Sequence, residues 1–171
     1  LETSLDITDY IKSLDIKLLM SVNDKEQIPR ISQLTQKTNQ FNLTTKRYTE
    51  GEIESFMNDK SKYVFSLEYS DKFGSEGIIA VSIVDIVDND IAFIDTFLMS
   101  CRVIGRNVEF SFLKKIIERL SSERGVSVYK AEYIPTSKNI LAKEFYQRCN
   151  FESGDKHALS KQTLLSTISD N

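Results

Sequence analysis

From residue 62 the side chains alternate, with Tyr63, Phe65, Leu67 and Tyr69 set between more polar neighbours. That is the period of a strand with one buried face. Two more stretches follow, 78–87 (IIAVSIVDIV) and 91–99, and both are apolar on two faces, as strands in the middle of a sheet are. The Gly and Asp residues of 71–77 mark one hairpin loop, and Asp88, Asn89 and Asp90 mark the next. A meander of three strands therefore anchors whatever this chain folds into.

The flanking segments carry a helical period. Residues 6–15 read as a short helix and 16–22 as an edge strand. Pro29 suits a first helical turn, where its missing N–H costs nothing, and Ile31, Leu34 and Thr38 then share a face, predicting a helix over 29–39. Thr49 and Glu52 spell a capping box ahead of a helix over 50–58. After the meander, Val108, Phe112, Leu113, Ile116, Ile117 and Leu120 form the stripe of a longer helix that Gly125 can stop with a left-handed cap. A strand over 126–134 ends at Pro135. A last helix is expected over 138–148 with Ile140, Leu141 and Phe145 turned inward, then a strand near His157 to Ser160 and a fraying tail. This order belongs to an α/β or α+β protein with a mixed central sheet flanked by helices.

With 171 residues, 40% apolar and 27% charged, the chain has the profile of one globular domain with a core of its own. The formal net charge is -3 and the basic residues are scattered, which argues against nucleic acid as a partner. The most apolar run is about half the length a bilayer demands, so no membrane association is expected. Only two cysteines occur, Cys101 and Cys149, neither at zinc-ligand spacing, so no metal is expected. Reduced, cytoplasmic thiols are the default reading. Residue 1 is Leu rather than Met, which suggests the C-terminal piece of a longer protein.

Arg102, Gly105 and Asn107 stand at the spacing RxxGxN between the last meander strand and the long helix. A glycine there lets the main chain approach a ligand, and the opening amides of the helix carry partial positive charge that suits a phosphate. Arg102 and Arg106 would add charge-assisted bonds. An ordinary turn flanked by solvated arginines gives the same spacing.

This order of elements resembles the GNAT acyltransferases, whose turn reads Q/RxxGxG/A; here Asn107 replaces the last small residue. NILAKEFYQRCNF, 139–151, likewise resembles that family's NxxAxxFYxxxGF, with Asn150 in place of Gly. Asn tolerates left-handed φ better than most residues. The resemblance implies a GNAT-like acyl-CoA N-acyltransferase fold. It also implies an acyl-CoA or phosphopantetheine thioester with its phosphates on Gly105, Arg106 and Asn107, and Asn139 placed beside the cofactor. The pantetheine arm would lie between strands 91–99 and 126–134, bonded to main chain near Leu98 and Ser100. Tyr146 would protonate the leaving thiolate; a packed aromatic is the alternative.

Three longer stretches, RISQLTQKTNQFNLTTKRYTEGEI, IDTFLMSCRVIGRNVE and YIPTSKN, resemble the C-terminal domain of FkbH-like proteins, over about 16–151. That resemblance implies a glyceryl or similar small acyl thioester on an acyl carrier protein, in methoxymalonyl-acyl carrier protein and polyketide precursor biosynthesis. It also implies an N-terminal HAD-like domain in the same protein. Asn39, Gln40, Asn42, Thr44 and Thr45 would then offer neutral donors and acceptors to the acyl group, unless they serve only their own loop.

Cys101, beside two arginines, is the candidate nucleophile, against the reading of a small buried hydrophobe. Asp95, expected to share a face with Phe93 and Phe97, is a candidate general base or a tie to a loop, with Glu132 as its rival. His157 is expected to be structural or solvent-exposed. A non-catalytic module that binds the carrier protein and its arm is the leading alternative, and an acetyltransferase acting on a small amine is a third.

Overall fold

The computed structural model describes residues 4–153 and 158–162. Helix α1, Ser4–Ser13, leads into the edge strand β1, Lys17–Val22. Helices α2, Ile28–Lys37, and α3, Glu50–Asn58, come next. Pro29 sits in the first turn of α2, and the Thr49 hydroxyl accepts from the Glu52 amide at 3.2 Å while Glu52 Oε1 accepts from the Thr49 amide at 3.1 Å. The meander is β2, Lys62–Asp71, β3, Gly74–Asp88, and β4, Ile91–Met99. Helix α4, Val108–Arg124, ends at Gly125 with φ +65°. Then follow β5, Val128–Glu132, the single turn α5, Phe145–Arg148, and the strands β6, Glu152–Ser153, and β7, Ala158–Gln162. His157 and the fraying expected beyond 162 lie outside the described residues. No helix among the described residues is long and apolar enough to cross a membrane.

The sheet runs β1-β2-β3-β4-β5-β7-β6, and β4 with β5 is its parallel pair. The α4 and α5 side buries Phe97, Phe112, Ile116, Phe145 and Tyr146, while α2 and α3 bury Ile31, Ile53 and Leu98 on the other. Helices thus cover both faces.

Two expectations fail. The helix expected over 138–148 is broken into a 3-10 turn, Ile140–Ala142, and α5, and the break swings Ile140 and Leu141 outward, to 74% and 53% exposure, while Ala142, Phe145 and Tyr146 pack inward. Asp95 does not share a face with Phe97. Val84 pairs with Ile94 and Ile83 with Thr96, so Asp95 is an extra residue in β4, a bulge that flips the alternation. Ala92 and Ile94 before it, and Phe97 and Met99 after it, therefore all face the same core.

Candidate active site

The bulge also ends the β4/β5 pairing, whose last register is Ile94 with Ala131. Beyond it the strands part, as the cofactor slot would require. The slot is filled by the chain's own residues 41–44. Asn42 bridges Leu98 in antiparallel fashion, the Leu43 amide donates to Phe97 O at 3.1 Å, and the Met99 amide donates to Phe41 O at 2.9 Å. On the far side the Ile134 amide donates to Leu43 O at 2.8 Å. The Ser100 amide donates to Ile79 O at 2.7 Å. Main-chain groups near Leu98 and Ser100 are therefore committed to protein, which corrects the expectation that a pantetheine arm bonds there.

Asn139 holds this insertion in place. Its Nδ2 donates to Asn42 O and Ile134 O, both at 2.9 Å, and its Oδ1 accepts from the Thr136 amide at 2.8 Å and the Tyr133 hydroxyl at 3.2 Å. A fully buried amide with its donors and acceptors so used is a clasp, not a cofactor contact. Three of the amide-rich loop's polar residues behave likewise. Asn42 donates to Thr38 O and accepts from the Thr45 amide, Thr44 donates to Asp95 O, and the Thr45 hydroxyl bonds Thr44 O. For Asn42, Thr44 and Thr45 the loop's own needs account for the side chains.

Other assignments move as well. Arg106 turns back to β2, donating to the Tyr69 hydroxyl at 2.8 Å and pairing with Asp71 at 3.4 Å, so it does not stand ready for a phosphate. Gly105 and Asn107 take left-handed backbone, φ +87° and +61°, and Asn150 does too at +66°. The two asparagines thus supply the conformation that glycine was expected to supply. Tyr146 is sealed in the core among Phe97, Phe145 and Phe151, its hydroxyl has no partner among the described residues, and burial pushes its pKa well above the ordinary phenol value. It is a packed aromatic, and a proton shuttle to a leaving sulfur has no path to it.

Asp95 is no poised base. Burial favours its neutral form, but Lys46 at 2.8 Å, the Tyr48 hydroxyl at 2.7 Å and the Thr96 hydroxyl at 2.8 Å outweigh it and hold the carboxyl below its ordinary value. Its rival Glu132 lies 4.0 Å from the same Lys46. Both acids belong to one structural ion cluster under the bulge.

A cleft of about 320 Å³ lies open between the end of α2 and the end of β4. Cys101 lines it, exposed, at the start of a 3-10 turn, Cys101–Val103, whose cap Ser100 accepts from the Arg102 amide. Arg30, Lys37 and Arg102 also line it, with Asn39 and Gln40. Arg102 reaches Glu76 at 3.5 Å, while Arg30 bonds Gln33 and Ile78 O, and burial together with the charge of Arg102 lowers the Arg30 pKa. The accessible thiol thus shares one cleft with three cationic side chains. Sequence reasoning named Asn39, Gln40, Ser100, Cys101 and Arg102 but missed Arg30 and Lys37. Their spacing of seven, two turns of one helix face, was the available signal.

No family model matches the chain, and no curated protein matches it. Among solved structures it is similar to Ard1 from Thermoplasma volcanium, with TM-score 0.65 and 14% identity over 86% of this chain and 98% of that one. It is also similar to a spermidine N-acetyltransferase from Vibrio cholerae, with TM-score 0.63 and 12% identity over 89% and 96%. An aminoglycoside acetyltransferase in complex with coenzyme A gives TM-score 0.63 and 11% identity over 91% and 100%. The fold is that of the GNAT acetyltransferases.

Proposed function

We propose that this chain is an acyltransferase-type domain in which Cys101 receives a small acyl group from a thioester. The observation that carries this reading is the exposed Cys101 thiol in a cleft ringed by Arg30, Lys37 and Arg102. In the step proposed, Cys101 Sγ attacks the thioester carbonyl, a new C–S bond forms, and the donor's C–S bond breaks. The donor thiol leaves with the proton that Cys101 gives up, and an acceptor thiol reverses the sequence. The cations stabilise negative charge on the carbonyl oxygen as it develops. The resemblance to FkbH-like proteins supports glyceryl as the acyl group and an acyl carrier protein as the partner, with a HAD-like domain as its companion. The GNAT fold supports acyl-CoA as a second donor.

A filled slot and a sealed Tyr146 favour one other reading, a module that binds the loaded carrier without chemistry. Intact-mass measurement after incubation with glyceryl-loaded carrier protein, and separately with acetyl-CoA, divides the two. The proposal expects one acyl adduct that Cys101→Ala abolishes and Cys149→Ala keeps. Carrier binding with no adduct would establish the module instead.

A further inference from the structure

The two edges of the sheet are finished differently. At one edge β6 is two residues long, a strand blunted by its shortness. At the other, β1 runs six residues and pairs β2 in unbroken register, from Lys17 with Ser70 to Val22 with Phe65. It holds no proline and no bulge, and its one charged residue, Lys17, stands at its end. No described strand covers its outer side. By the alternation of an antiparallel ladder, half of its residues direct N–H and C=O outward. Leu19, in the middle of this edge, is 63% exposed. An unblunted edge of this kind is a template for a partner strand.

A groove of about 450 Å³ follows the edge, between the middle of β1 and the α4 side chains Lys115, Glu118, Arg119 and Glu123. Leu18 and Met20 are half-buried and carry the core out to its rim. The four α4 charges are two cations and two anions, so neither a polyanion nor a polycation suits the groove. Along the helix they run plus, minus, plus, minus. Taken from the other end they run minus, plus, minus, plus. A second copy laid antiparallel therefore sets Lys115 against Glu123 and Glu118 against Arg119, and the same pairs in reverse, every cation on an anion. A parallel copy would oppose like charges. The two-fold axis that makes α4 antiparallel to its copy, standing normal to the sheet, makes β1 antiparallel to its copy as well, so the two edges can form a ladder.

We infer that β1 seats a second copy of this chain, joined edge to edge across a two-fold axis near Leu19, with the four α4 charges paired across it. The contact covers Leu19 and runs one sheet through both subunits.

Sedimentation equilibrium of the chain over a concentration series tests this. A dimer with Kd in the micromolar range or tighter is expected, as interfaces of standard size give. Glu118→Arg and Arg119→Glu each set like charges face to face twice, and each should weaken the dimer roughly tenfold or more. Mixed together, the two variants regain opposite charges at both contacts and should associate within roughly threefold of the parent. Leu19→Lys, at an exposed position that folding tolerates, sets like charges against each other at the axis and should leave monomer at about 100 μM. A parent chain that is itself monomeric at about 100 μM would leave the edge to a strand of some other protein and overturn the inference. So would a dimer that Leu19→Lys leaves intact, or charge variants that fail to associate when mixed.

Discussion

Asp95 and Glu109 are both acids set into largely apolar surroundings, and the molecule treats them in opposite ways. Asp95 is answered on both sides: Lys46, Tyr48 and Thr96 hold its carboxylate, and Thr44 bonds its carbonyl. Glu109 is also largely buried, yet its Oε2 is left without a donor among the described residues. The difference teaches that the bulge and the filled slot are architecture, while Glu109 and the Cys101 cleft keep unspent bonding capacity.

The strongest way to break this contrast is through the clasp. Asn139→Ala removes four side-chain hydrogen bonds, one of them to Asn42 O in the 41–44 insertion, and should cost about 3 kcal/mol in urea unfolding. A cost near zero would mean that the insertion is held by other contacts. Asp95→Asn should cost about 2 kcal/mol at pH 7 by stripping the charge that Lys46 answers. Because the folded pKa of Asp95 is depressed, its stabilisation is present above the unfolded value and lost as pH falls through the folded one, so thermal melts of Asp95→Asn should show a flatter acid limb than the parent.

Glu109→Gln should move stability the other way, by about 1 kcal/mol upward at pH 7. Burial raises its folded pKa, so the charge costs stability above that value, and the advantage of the variant should shrink as pH falls toward the unfolded range. An equal gain at every pH would show that ionisation of Glu109 is not the cause. Smallest of all, Tyr146→Phe should leave stability unchanged or raise it by up to about 1 kcal/mol, since it deletes a hydroxyl with no partner, and it should leave acyl uptake intact.

Much of this was legible in the residues. The meander, the Thr49–Glu52 capping box, the Pro29 start of α2 and the Gly125 stop follow from local chemistry alone, and local chemistry was enough because each depends on near neighbours in the chain. Asn107 and Asn150 were also readable as left-handed positions. What escaped depends on distant partners. A one-residue bulge at Asp95 leaves the composition of a strand untouched while inverting its faces. Asn139 joins Asn42 across 97 positions, so neither residue shows the bond locally. The break before α5 was hidden because Ile140, Leu141 and Phe145 fit an amphipathic turn as well as an exposed edge. Nothing local marks Glu109, because an acid in a first helical turn ordinarily meets water there.

The central claim is that residues 41–44 are a built part of the sheet that occupies the slot between β4 and β5, which is the premise of the chemistry proposed at Cys101. Amide hydrogen exchange at Leu43, Met99 and Ile134, measured with and without saturating acetyl-CoA, tests it most directly. The account predicts protection comparable to the central strands in the free protein and no change on adding acetyl-CoA. Fast exchange in the free protein, with protection appearing only when acetyl-CoA is present, would return the slot to the cofactor and contradict the account.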